Sequence, residues 1–522
     1  MKIRHFISAL LVLVCITGLR AQMHQPNRYE IELGMFDDSY EVLSGDENGV
    51  LLYKPLGIYL QGSELWQFVM LDTTLQKIWK KEYYIDRDLQ FRGYDYFDTN
   101  YYFLFRNENS STRDLQLFQM SIFTGDTLRY IVHNLVPLEL REFEVTEGAA
   151  VIGGYYNMDP VVIHYDFKSR KTKVLPGIFG NRVELVQLKI NEDNSISVLV
   201  SARTIDKRNT LALKTYTPEG EFINSFTFAP KTNLGLIFGR VENVSNNRIL
   251  VSGTYGAKRS EYSRGLFIAS YAIDQGQDVK YYNYADFDNF FKYMKARQQN
   301  RVANRIARKK IKGKNVKFHY RLLVHQIIPD GENYILLGEA FYPKYTSNST
   351  YGGADAVRGS FGGSNYMPMN FAGYRYTHAV VMGFNKQGKM LWDNSFEIED
   401  IVTYDLNQYV HADVTDKRIV LLYLYNDEIR SKIIKGSDVV EGKSFDNVRL
   451  KFEDDVVAKK STINIGGLEK WYGHTFYAFG VQKIKNMKDQ GVKLNRKVFY
   501  INKVVYSIPD SEVSLSKSKS MP

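Results

Sequence analysis

Cysteine is nearly absent. The 522 residues hold one, Cys15, and it lies in an apolar N-terminal stretch. Residues 22–522 can therefore form no disulfide and do no thiol chemistry. The signatures of catalysis and metal binding are missing too. There is no His-Glu-x-x-His, no Cys/His ligand set and no Gly-x-Ser-x-Gly. The nine histidines are scattered, at His5, His24, His133, His164, His319, His325, His378, His411 and His474. His319 and His325 share a candidate strand, but they sit six apart with no carboxylate beside them. Asp46-Glu47-Asn48-Gly49, Asp193-Asn194 and Asp330-Gly331 read as hairpin turns, because the twelve-residue calcium spacing with its closing Glu is absent. No catalytic residue, metal or cofactor is expected. Beyond the N-terminus no apolar run is long enough to cross a bilayer.

What is present begins with an export signal. Lys2 and Arg4 precede an apolar run from Phe6 to Gly18, and Leu19-Arg20-Ala21 before Gln22 fits cleavage after Ala21. Residues 1–21 are read as a signal peptide, with an uncleaved anchor as the rival reading. Val14 is too large for a lipid attachment site at Cys15. An exported chain without disulfides fits a bacterial envelope, so a periplasmic or extracellular location is expected.

The rest of the chain recurs. Short apolar strands centre on Leu52, Phe103, Val151, Val198, Leu250, Leu336, Leu421 and Ala478, in steps of 51, 48, 47, 52, 86, 85 and 57 residues. Each of the two longest steps contains an insertion. Without them the period is about 50, which marks multi-stranded propeller blades. Phe68 to Trp79, Leu211 to Ile223, Phe267 to Gly276 and Ala379 to Trp392 each read as strand, tight turn, strand. Trp79 and Trp392 lie just past their turns and should pack on the neighbouring blade. Tyr29 to Leu33 pairing with Val498 to Val505 would seal the ring. The expectation is an all-β fold, a single β-propeller over residues 22–506 with about eight blades. Seven is the alternative, if Gly49 to Tyr53 belongs to a degenerate unit. A polar tail, 507–522, follows.

This unit resembles that of the exported β-propeller repeat proteins of Gram-negative bacteria, quinoprotein-like or kelch-like, over about residues 29–506. Trp-Asp dipeptides are missing apart from Trp392-Asp393, and the Gly pair Gly153-Gly154 lies within a strand. The resemblance implies architecture and carries over no functional residue.

The first insertion spans 286–317. Phe290, Phe291, Met294, Val302 and Ile306 fall on one helical stripe, with Arg297, Arg301, Arg305 and Lys309 every fourth residue beside it. From Lys292 to Lys317 there are eleven Lys/Arg and no Asp/Glu, which exceeds the formal charge of +10 for the whole chain. The basic character is local. The second insertion, 343–376, is a Gly/Ser-rich loop interleaved with Tyr345, Tyr351, Phe361, Tyr366, Phe371, Tyr374 and Tyr376. That mixture suits adaptable binding loops, and no Gly-Lys-Ser/Thr makes it a phosphate cradle.

Two functions follow as expectations. The first is a non-enzymatic envelope binding or scaffold protein. Its blade loops and insertions would contact a protein partner or an anionic envelope component through Arg297, Arg301, Arg305, Arg308, Lys309, Lys310, Tyr351, Phe361 and Tyr366. A peripheral membrane contact is compatible with this, and the envelope address speaks against nucleic acid. The second is a hydrolase or lyase acting on glycans from the central funnel, where carboxylates, His or Arg with shifted pKa values would converge. Deleting Asp286 to Lys317 is expected to leave thermal stability within a few degrees and to abolish partner capture.

Overall fold

The computed structural model describes residues 22–109, 114–133, 136–180, 182–245, 248–272, 276–314, 316–347, 369–399, 401–415, 418–458, 466–489 and 491–507. Residues 1–21, read above as a signal peptide, and the tail from 508 lie outside them. Eight antiparallel sheets of four strands or more make up the molecule. All eight apolar centres fall on the second strand of a sheet. These strands are Val50–Leu60, Asn100–Asn107, Ala149–Tyr156, Ile196–Arg203, Arg248–Ala257, Asn333–Ser347, Arg418–Tyr425 and Thr475–Asn486.

Such a strand is apolar throughout because both its faces are buried. Alternate side chains point to opposite faces of a pleated strand, and here the two faces belong to different cores. Leu51 and Tyr53 pack towards the second blade, Val50 and Leu52 towards the last. Leu336 joins one core, Ile335 and Leu337 the next. Eight such cores lie between successive blades and close the circle. Each fully buried Leu, Phe or Met contributes about 1.5–3 kcal/mol, and only the assembled ring buries both faces. The architecture is an eight-bladed β-propeller. The first blade is complete, from Glu41–Ser44 out to Lys77–Asp86, which decides between eight and seven.

The ring is sealed as the sequence suggested. Arg28–Leu33 is the outer strand of the eighth blade and pairs antiparallel with Asn495–Ser507, Tyr29 opposite Ile501 and Leu33 opposite Lys497. Both tryptophans reach the following blade. Trp79 donates its indole N–H to the Ile122 carbonyl at 2.7 Å. Trp392 lies across Gly383, where any Cβ would stand 2.2 Å from its ring, and approaches Gly436 of blade 7. The outer hairpins turn through Gly220 (φ 76°) and Gly388 (φ 70°), a region that favours glycine.

Antiparallel order fixes where the connections lie. Hairpins joining first to second and third to fourth strands gather at one end of the molecule. Links from second to third strands, and from blade to blade, gather at the other, the link face. Both insertions emerge there. The first joins the outer strand of blade 5, Gly276–Asn283, to the inner strand of blade 6, Arg321–Asp330. It is not one long helix. Helix α1 covers only Ala296–Ile311. Phe290 and Phe291 precede it in turns held by Asp393 of blade 6, whose carboxylate accepts the amides of Asp288 (2.9 Å) and Asn289 (2.8 Å). The stripe still faces inward, because Phe291, Val302 and Ile306 pack on the core between blades 5 and 6, in which Phe287, Phe290, Val316 and Phe318 are buried. Deleting 286–317 would remove three of these four, which argues for a larger loss of stability than a few degrees.

The second insertion is stranded at both ends rather than a loop throughout. Asn333–Ser347 and Met369–Asn385 run past the body of blade 6 as a two-stranded ribbon, paired out to Ser347 and Met369. Closely spaced aromatic residues favour this pleated form. Val402–Thr403 adds a short third strand against Tyr374 and Arg375. Tyr351, Phe361 and Tyr366 lie outside the described residues.

Candidate functional site

Helix α1 sorts its cations by direction. At about 100° per residue, Arg297, Arg301 and Arg308 project within about 40° of one another. They face away from Val302 and Ile306, which pack on the core between blades 5 and 6. All three arginines are exposed, and among the described residues none has a carboxylate within ion-pair distance. Lys310 lies on one flank and pairs with Asp286 at 3.3 Å. Arg305 and Lys309 occupy the other flank, above a cavity. The helix has no side-chain N-cap and no acid in its first turn, while Arg308, Lys309 and Lys310 in its last turn suit the macrodipole.

The ribbon stands on the same face, on the blade that the insertion docks against. Tyr293, just before α1, stacks on His378 at its base with ring centroids 3.8 Å apart. Further out, Tyr345, Phe371 and Tyr404 form an exposed run, with Tyr345–Phe371 at 5.9 Å and Phe371–Tyr404 at 6.2 Å.

The cavity beside α1 has a volume of about 740 Å³. Arg264 of blade 5, Arg305 and Lys309 of α1, and Lys314 and Lys317 of the returning segment line it, with His319, Tyr255, Asn283, Leu234 and Val316. Burial pushes the Tyr255 phenol up to about 12, against a hydrogen bond from Asn283, so the hydroxyl stays a neutral donor. Asp286 and Glu261, on adjoining segments, pair with Lys310 and, at 3.5 Å, with Arg321.

The central channel is built differently. In blades 2 to 6 the innermost strand carries a one-residue bulge at the same place, at Arg92, Arg141, Val186, Ile237 and His325. Three residues beyond the bulge stand Asp95, Glu144, Lys189 and Arg240 in blades 2 to 5. Asp95, Lys189 and Arg240 stitch inner strands whose channel edges have no ladder partner. Asp95 accepts the Val145 amide at 2.6 Å. Lys189 pairs with Glu242 at 2.8 Å. Arg240 donates to the carbonyls of Val186 (3.2 Å) and Val324 (3.3 Å). Burial dominates their electrostatics. It pushes Asp95 up to about 6, and with Asp95 and Glu142 adding repulsion it pushes Glu144 up to about 8. It raises Glu142 and lowers Arg240.

His325 does have a carboxylate beside it. Glu339, fully buried on the next strand, pairs with it at 2.8 Å and accepts the amides of Val410 (2.6 Å) and Tyr409 (3.1 Å), which anchors the link to blade 7. Among the described residues no three His, Cys, Asp or Glu stand close enough to hold a metal ion, and no helix is long and apolar enough to cross a membrane.

The six basic residues predicted as contacts thus lie on one exposed helix but divide into three directions. Arg264, Lys314 and Lys317, which join two of them at the cavity, were missed, because only the fold brings blade 5 under α1. The channel carboxylates were missed as well; their signal was the alternation Glu142-x-Glu144 on an inner strand.

No family model matches the chain, and no curated protein matches it. Solved structures similar to it include the polysaccharide lyase Uly1, at 9% identity over 92% of this chain and 99% of that chain, with a TM-score of 0.39. The β-propeller domain of the Trilobed protease from Pyrococcus furiosus is 9% identical over 79% of this chain and 93% of that chain, with a TM-score of 0.36. TolB from Acinetobacter baumannii is 13% identical over 57% of this chain and 62% of that chain, with a TM-score of 0.27. At these identities and scores no residue or activity transfers.

Proposed function

We propose that the protein is an exported, non-catalytic binding protein of the envelope, periplasmic or extracellular, whose link face captures an anionic protein or another anionic envelope component. One observation carries this reading. Arg297, Arg301 and Arg308, without carboxylate partners among the described residues, rise from the same face as the exposed ring run Tyr345, Phe371 and Tyr404. Aromatic rings and arginines are the residues that most often anchor interfaces. Like charges four apart cost the helix a few tenths of a kcal/mol per pair, and an anionic partner reverses that sign. The test is a pull-down from envelope extracts with the tagged protein, the variant Arg297→Glu/Arg301→Glu/Arg308→Glu, and the variant Tyr345→Ser/Phe371→Ser. A partner retained by the parent and lost by both variants is expected. The same captured set from all three would end this reading.

A second reading is a hydrolase or lyase acting on glycans from the channel. The half-buried Glu144 favours it, since its carboxyl is raised to about 8, and a carboxyl that keeps its proton near neutral pH is what a general acid requires; Asp95 and Glu142 stand beside it. Release of glycan fragments by the parent and none by Glu144→Gln would support it. Equal rates, or no turnover of acidic glycans by the parent, would oppose it.

A further inference from the structure

We infer that the cavity between α1 and blade 5 is a binding site for a saccharide bearing several sulfate or phosphate groups. The site shares no residue with the outward arginines, so it does not depend on the binding reading above.

Its cations come from three separate parts of the chain. Arg264 stands on the third strand of blade 5, Arg305 and Lys309 on α1, and Lys314 and Lys317 on the segment returning to blade 6. All five line one cavity, and none forms an ion pair with any described carboxylate. Among the described residues no acid lines the cavity, and two acids of adjoining segments have cations of their own, Asp286 with Lys310 and Glu261 with Arg321. Positive charge is therefore concentrated there without internal neutralisation, in a concave space where screening is weaker than on an open surface.

Size and lining narrow the ligand. A cavity of about 740 Å³ falls among the volumes that hold whole organic ligands, and it exceeds what one inorganic anion fills. Its charges sit around a wall made of the Tyr255 ring, Leu234 and Val316. Tyr255 offers a neutral hydroxyl, and Asn283 adds an amide. A sugar ring presents C–H faces to such a wall and hydroxyls to such donors, while ester groups on its edges meet the cations. Arg264 gives a planar, two-pronged donor for a sulfate or phosphate, and the lysines act as point charges.

Calorimetric titration of the purified protein tests this with three probes: a sulfated disaccharide, its unsulfated parent and inorganic triphosphate. One sulfated disaccharide per chain is expected, with triphosphate competing and no binding of the unsulfated sugar. Affinity should fall about tenfold or more between low salt and half-molar salt. Arg264→Ser, and separately Lys314→Ser/Lys317→Ser, should each weaken binding about tenfold, a loss of about 1.4 kcal/mol. Arg264→Lys should recover part of it, and Arg297→Ser should leave it within about twofold, because that arginine faces solvent. Any of four results would overturn the assignment: no saturable binding, equal binding of the unsulfated sugar, binding of triphosphate alone, or equal losses in Arg297→Ser and Arg264→Ser. Each variant's melting curve, matched to the parent, separates loss of the site from loss of the fold.

Discussion

Arg240 and Arg305 make a useful pair. Arg240 sits on the inner strand of blade 5, half-buried, with its guanidinium donating to carbonyls of blades 4 and 6. Arg305 sits on α1 beside the same blade, exposed, with the Phe318 ring 5.8 Å away and a cavity in front of it. The two residues stand for two regions. In the channel each charged side chain named above is fastened to backbone, paired, or held close to neutral by burial. On the link face the cations have few such obligations. A buried ionic group must be satisfied by its own fold, whereas an exposed one can be satisfied by something else. Charge in the channel therefore speaks first of construction, and charge on the link face speaks of a ligand.

Four experiments break or sharpen that contrast. The largest effect is expected where the link face is bolted down. Phe290→Ala empties a fully buried site between blades 5 and 6 and should cost about 3–5 kcal/mol in a urea melt. Next, Glu339→Ala strands the amides of Tyr409 and Val410 and should cost about 2–4 kcal/mol, against almost nothing if the channel-side charges were idle. Third comes pH. The Glu144 carboxyl is raised to about 8 in the fold, so the unfolded chain releases its proton first as pH climbs. The contribution of Glu144 to stability should fall from about pH 4 towards pH 8, and Glu144→Gln should remove that fall, a few kcal/mol on the order of the shift. His411 works in the other sense. Burial, with His325 and Lys470 adding, lowers it to about 4, so its contribution to stability should drop as pH falls from about 6.5 towards 4. The smallest effect belongs to the outward arginines. Arg297→Ser/Arg301→Ser/Arg308→Ser should shift stability by about 0.5 kcal/mol or less in the same melt.

How far the sequence can be read follows from burial. Second strands such as Ile419 to Leu422 are buried on both faces, so their apolar runs announce themselves and give the blade count. Ring closure was legible because Tyr29 to Leu33 alternates. Inner strands were harder, since bulges at Arg141 or His325 shift the alternation by one residue. That shift also hid the meeting of His325 with Glu339. The first insertion was overread as one helix. Phe290 and Phe291 have helical spacing relative to Met294, but Asp393, about a hundred residues later, holds the preceding turns. No local pattern could reveal that, or bring Arg264 to Lys314.

The pairing of Arg28–Leu33 with Asn495–Ser507 sets an order of events. The eighth sheet lacks its outer strand until the two extremes of the chain meet. Before that moment blades 1 and 8 each show an apolar flank, Val50 and Leu52 on one side, Tyr477, Phe499 and Ile501 on the other. A chain still being made or threaded through a pore is thus an unclosed spiral with two adhesive rims. Shielding those rims is a task for whatever accompanies it, and completion is a single late snap.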